Sequence, residues 1–409
     1  MATRRLEGDA SGFSPVRLER LLTALRRHVE TGALPGFVAA VHHRGREHVD
    51  ASGAQAFDVD APAMRRDTIF RLASMTKPIT AVAAMILVEE CRIRLDDPVD
   101  QWLPELANRR VLRTIESSLD DTMPAARAIT VRDLLTFRSG YGELGFLSPT
   151  CPLQRAMSGA GLTLGEYPFT FTPDAFLKRL GSLPLAHQPG DRWLYHTAAE
   201  ILGVLIARVS GQSLATFLRE RIFDPLGMTD TGFYVPAAKL DRLPICYGRD
   251  FASGKVIVLH EAHGGHYARP PVFEAGGGGL VSTADDLLAF GCMMLNKGAY
   301  GRERILSRPA VELMTIDQLA PEQKARSPFF AGFWEECGWG LGLGVVTARR
   351  AVARVPGCFG WDGAFGTSCW VDPKEQFVGV FLTQRVPDVL AIPSSILDFW
   401  TAAYQLIDD

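Results

Sequence analysis

From Ile79 to Val88 the chain reads Ile-Thr-Ala-Val-Ala-Ala-Met-Ile-Leu-Val, a helix-length segment in which almost every side chain is apolar. A helix without a polar stripe has no face to give to water, so other structure must enclose it. The fold therefore has to be large enough to surround it. At 409 residues, 47% hydrophobic and 22% charged, the chain has ordinary globular composition and can supply such a core. Pro78 fixes where the helix starts, because proline is tolerated in the first turn, where its missing N–H had no partner.

That start places Ser74 at the helix N-terminus and Lys77 three residues on. Residues i and i+3 share a helical face, so the hydroxyl and the amine point into the same space. A lysine beside so apolar a segment is costly to keep charged, and desolvation moves it toward a state that can accept a proton from the serine. The unpaired N–H groups and positive dipole end of the helix favour negative charge beside Ser74, as a developing oxyanion requires. The plain alternative is a capping serine with a snorkelling lysine. Against it, this is the single S-x-x-K in the chain and it opens a buried helix.

Other elements follow from local pattern. Residues 14–31 read as a helix, with Ser14 as N-cap, Pro15 at N1, leucines at helical spacing and Gly32 as the stop. Gly36 to Val49 alternates like a hairpin turning at Arg44-Gly45-Arg46, with His42, His43 and His48 on its strands. Thr130 and Asp133 are spaced as a cap and its partner. The Gly- and Pro-rich stretch Ser139–Pro173 has weak periodicity and reads as a long loop. Tyr195 falls where an aromatic stretch enters the apolar helix Ala198–Val209; it is a candidate acid and base, and equally a core-edge aromatic. Its neighbour His196 is expected to face away, since adjacent residues on an extended segment point to opposite sides.

After residue 240 the pattern turns to strands and glycines. Gly276–Gly279 has no lysine after it, so it reads as a place where backbone approaches backbone rather than a phosphate loop. His260, His263 and His266 are spaced like a metal cluster, yet H-E-x-x-H fails and no metal or other cofactor is expected. Three stretches, 338–344, 359–366 and 377–382, read as successive antiparallel strands before a C-terminal helix from about Pro393. A net charge of −3 and a pI near 6.3 argue against nucleic acid and membrane surfaces as partners, leaving a small molecule. Seven cysteines without a C-x-x-C, and an N-terminus without an apolar signal core, point to a reducing cytoplasm.

The order of Ser74-Met75-Thr76-Lys77, Leu95-Asp96-Asp97-Pro98-Val99, Thr130-Val131-Arg132-Asp133-Leu134-Leu135-Thr136, Pro189-Gly190 with Tyr195, Pro225-Leu226-Gly227-Met228, Gly276–Gly279 and Trp361-Asp362-Gly363 resembles the serine β-lactamase and penicillin-recognising superfamily over nearly the whole chain. Tryptophan where β-lactamases have the lysine of K-T-G resembles the family VIII carboxylesterases. The resemblance implies an α/β (α+β) fold of β-lactamase/transpeptidase type: residues 1–74 with 251–409 forming an antiparallel sheet flanked by helices, residues 75–250 an inserted, mainly helical domain, and the active site between them. It further implies Ser74 as nucleophile, Lys77 as its activator, Tyr195 as shared acid and base, the backbone N–H groups of Ser74 and Ala364 as oxyanion hole, and Trp361, Asp362 and Gly363 as substrate-binding.

The departures set the substrate expectation. Position 197 is threonine where the family has the asparagine of Y-x-N, and Trp361 offers no cation to a β-lactam carboxylate. Losing such a charge-assisted contact costs about 1.5–3 kcal/mol, while an uncharged ester loses nothing. Hydrolysis of neutral carboxylic esters through an acyl-enzyme is the expectation. β-Lactam or D-Ala-D-Ala hydrolysis, acyl transfer to an alcohol and a non-catalytic binding role are the alternatives.

Overall fold

The computed structural model describes residues 13–146, 148, 150–164, 168–250, 252–388 and 392–407; the N-terminal stretch read for a signal lies outside the described residues. Alternating apolar residues at the two ends of the chain meet in one sheet. Its strands are β1 (Gly36–His43), β2 (Arg46–Gly53), β3 (Cys337–Trp339), β4 (Gly344–Val346), β5 (Phe359–Gly363), β6 (Thr367–Asp372) and β7 (Phe377–Leu382). They lie in the order β3-β4-β5-β6-β7-β1-β2, with every neighbouring pair antiparallel. The N-terminal hairpin thus completes a sheet begun some three hundred residues later, with Val38 opposite Leu382 in the register.

Five helices matter for the architecture: α1 (Pro15–Glu30), α2 (Thr76–Glu89), α3 (Thr197–Ser210), α4 (Ala284–Leu295) and α5 (Ser394–Ala403). Because successive strand residues face opposite ways, β7 carries a helix on each side. Val378 presses on Gly291 of α4, where a Cβ would come within 2.6 Å of its Cγ1. On the other face Gly379 receives Trp400 of α5, at 2.7 Å from where a Cβ would stand. α1 packs on α5, and α4 lies against β1, β6 and β7.

The apolar run behaves as its composition demands: every residue of α2 from Thr76 to Leu87 is buried, and α3 packs along it. Gly276 crosses where the two helices meet, its carbonyl accepting from Thr80 Oγ1 at 2.8 Å. A Cβ there would stand 2.7 Å from the Ala199 carbonyl oxygen, so the glycine run does bring backbone against backbone. Thr130 and Asp133 form a reciprocal capping box, and Thr283 caps α4. The expectation of a structureless loop over Ser139–Pro173 needs correction. Residues Pro152–Gly159 form a helix, capped by Cys151 Sγ, whose Leu153 and Met157 are buried one turn apart. Its apolar stripe was too short to register as a period. No single helix among the described residues is long and apolar enough to cross a membrane.

Candidate active site

Ser74 lies in a single 3-10 turn, Ala73–Met75, that runs directly into α2. Ala73 holds φ +47°, a left-handed conformation costly for a residue with a Cβ. Such strain is tolerated because the turn is fixed on both sides: Leu72 N–H donates to Leu280 O at 2.9 Å, and Thr367 Oγ1 donates to Leu72 O at 3.2 Å. The second contact joins the nucleophile turn to the start of β6, where Thr367 pairs with Gly363 at the end of β5. Gly363 abuts the same carbonyl so tightly that a Cβ would lie 2.2 Å from it. Ala364 opens the turn after β5 and is exposed.

Lys77, 1% exposed, has its Nζ 3.0 Å from Ser74 Oγ, 2.5 Å from Gly277 O and 3.2 Å from His196 Nδ1. It also sits over the Tyr195 ring, 4.7 Å from the centroid. Burial removes the hydration an ammonium needs and pushes its pKa down to about 7, with Glu200 partly opposing. The amine therefore titrates near neutrality beside the hydroxyl.

Tyr195 stands at the entry to α3, its carbonyl accepting from Glu143 N at 2.8 Å. Its ring lies among Trp193, Phe137, Phe329 and Trp361, with centroids 5.1–6.0 Å away. Its phenol is within hydrogen-bonding reach of Ser74 and accepts from Trp361 Nε1 at 2.7 Å. Burial raises its pKa above the ordinary phenol range, outweighing both hydrogen bonds.

His196 also departs from expectation. Its backbone is not extended but at φ +79° and ψ −69°, so the alternation rule does not apply and its side chain joins Tyr195 at Lys77. Its imidazole is buried, and desolvation with Lys77 alongside lowers its pKa. Behind it Glu200, 1% exposed, has Oε1 3.3 Å from His196 Nε2, at an angle poor for a hydrogen bond.

Ser74, Lys77, Tyr195 and Trp361 are brought together, with Gly363 and Ala364 at the strand end beside them. Asp362 is not part of this group. Its neighbours in the strand face the site, so its own side chain lies on the other side of the sheet. There Oδ1 accepts from Ser368 Oγ at 2.5 Å and Trp370 Nε1 at 2.9 Å, with Arg354 3.7 Å from Oδ2. Of the spaced histidines, His260 and His266 pack edge to face at 4.8 Å, while His263 stands at the surface beside Asp241. Reading residue by residue missed His196, Glu200 and Gly277. One signal was available: a lone carboxylate one helical turn after a histidine, inside an otherwise apolar helix.

The Beta-lactamase family model matches residues 21–393. The chain is 41% identical over 372 residues to Protein Rv1367c of Mycobacterium tuberculosis (strain ATCC 25618 / H37Rv), covering 90% of each. It is 32% identical over 380 residues to Esterase EstB of Burkholderia gladioli, covering 89% of each. Among solved structures, EstCE1, described as a hydrolase with promiscuous acyltransferase activity, superposes with a TM-score of 0.78 at 24% identity, over 95% of this chain and 98% of the other.

Proposed function

The chain belongs to the beta-lactamase family, and on that premise we propose that it is a serine carboxylesterase acting on small neutral esters through an acyl-enzyme at Ser74. The observation that carries the reading is the 3.0 Å contact between Ser74 Oγ and a lysine amine buried enough to shed its proton near neutrality. In the first half-reaction Ser74 Oγ bonds to the ester carbonyl carbon while its proton passes to Lys77 Nζ. The carbonyl electron pair moves onto oxygen, held by the N–H groups of Ser74 and Ala364. Collapse of this intermediate breaks the bond to the alcohol, which takes a proton from Tyr195, itself resupplied by Lys77. Water then repeats the sequence on the acyl-serine and releases the acid. A phenol held protonated by burial suits the donor role, and a neutral amine suits the base role.

The substrate would lie between residues 75–250 and the sheet-bearing remainder. Trp361 gives this cleft an aromatic wall and no positive charge, which favours neutral esters over β-lactam carboxylates. On seven cysteines without a C-x-x-C, the compartment proposed is a reducing cytoplasm. The test is a panel of p-nitrophenyl esters with wild type and Ser74→Ala, read by product release and intact mass. Wild type should show an acyl adduct that the variant lacks, and an added alcohol should divert little of the product into ester. Equal turnover by Ser74→Ala would overturn the assignment.

A further inference from the structure

Lys77 can be accounted for hydrogen by hydrogen. As a free amine it has two N–H bonds and one lone pair. Around it stand three partners: the Gly277 carbonyl at 2.5 Å, His196 Nδ1 at 3.2 Å and the Ser74 hydroxyl at 3.0 Å. The carbonyl can only accept. If Nδ1 also accepts, both N–H bonds are used and the lone pair is left for the serine proton. If Nδ1 instead carries a hydrogen, it must donate to the amine and takes the lone pair away from Ser74. The tautomer of His196 therefore decides which way the base points.

We propose that Glu200 sets that tautomer, and that His196 and Glu200 together form a buried positioning pair behind Lys77. With its carboxylate 3.3 Å from Nε2, Glu200 favours the hydrogen on Nε2 and leaves Nδ1 as acceptor. The contact is off-line for a hydrogen bond, but at 3.3 Å the charge of the carboxylate still acts on Nε2. Gly277 keeps the pair in place. A Cβ on it would stand 2.5 Å from Glu200 Oε1 and 3.0 Å from His196 Cε1, so the residue that supplies a carbonyl to Lys77 also walls in the carboxylate.

The pair has an electrostatic role as well. When Ser74 gives up its proton, an ammonium forms where water is excluded, and the buried carboxylate two links away is the charge that opposes it. Other groups facing the amine are Ser74 and Tyr195; Glu143, whose N–H holds the Tyr195 carbonyl, is the further carboxylate acting on His196. This inference rests on the reading of Ser74 as nucleophile and Lys77 as its base.

The pH profile of kcat/KM for wild type, Glu200→Gln and Glu200→Asp tests it. Without the carboxylate the ammonium is less favoured, so the acid limb of Glu200→Gln should move down by about one pH unit, with kcat lower by about tenfold and KM little changed. Glu200→Asp should bring the limb back toward wild type. A Glu200→Gln enzyme with the wild-type limb and kcat overturns the pair, whereas a merely structural residue would leave the limb unmoved. Should the variants fail to fold, 15N-histidine NMR of the wild type reads the tautomer directly, His196 being the signal that shifts when Ser74 is phosphonylated. A hydrogen on Nε2 supports the pair, and one on Nδ1 overturns it. Absence of any acyl or phosphonyl adduct at Ser74 overturns the esterase reading itself, a distinct outcome.

Discussion

The indole N–H of Trp361 donates to the Tyr195 phenol oxygen at 2.7 Å, from a strand packed on the turn that carries the nucleophile. Where the related K-T-G motif would bring a cation to this place, the chain brings a neutral donor on a flat apolar ring. The phenol oxygen is thereby held beside Ser74, while burial keeps its pKa raised.

Trp361→Phe keeps much of the packing and removes the donor. It is expected to lower kcat for p-nitrophenyl butyrate about three- to tenfold, the worth of one neutral hydrogen bond, with little change in KM. An unchanged kcat would show that the bond positions nothing.

The rate should rise with pH through an apparent pKa near 7 as Lys77 loses its proton, because burial has lowered that group and raised Tyr195. Tyr195→Phe should lower the plateau by about a hundredfold while leaving the limb in place. A limb that disappears in Tyr195→Phe would make the phenol, not the amine, the first base.

Stability should carry the same signature. The folded-state pKa of Lys77 lies below its unfolded value, so between about pH 7 and the ordinary lysine range the unfolded chain binds more protons than the folded one. Folding therefore gains from rising pH across that window, and the penalty of burying the ammonium is fully present below it. The melting temperature of wild type relative to Lys77→Met should climb between pH 6 and pH 9. A constant difference would mean that Lys77 titrates as it does in water.

Asp362→Ala leaves Trp370 Nε1 and Ser368 Oγ without their acceptor on the far face of the sheet. The expected cost is about 1–3 kcal/mol of stability by urea denaturation. The kcat/KM of the folded fraction should stay within about twofold of wild type. A large rise in KM would return Asp362 to the substrate side.

Sequence alone determined the elements whose cause is local. An all-apolar run must be buried, proline starts its helix, a serine and a lysine three apart share its face, and alternation gives strands; each rests on backbone geometry within a few residues. The short helix at Pro152–Gly159 escaped because two buried side chains are too few to show a period. Only the tertiary structure decided what depends on distant neighbours. His196 meets Lys77 across 119 positions of sequence, and a left-handed backbone angle, not its residue type, turns it there. Asp362 shares a tripeptide with two site residues and faces the other way. Whether Lys77 or Tyr195 gives up its proton near neutral pH depends on how completely each is dried, and desolvation is a property of the whole packed interior rather than of any segment.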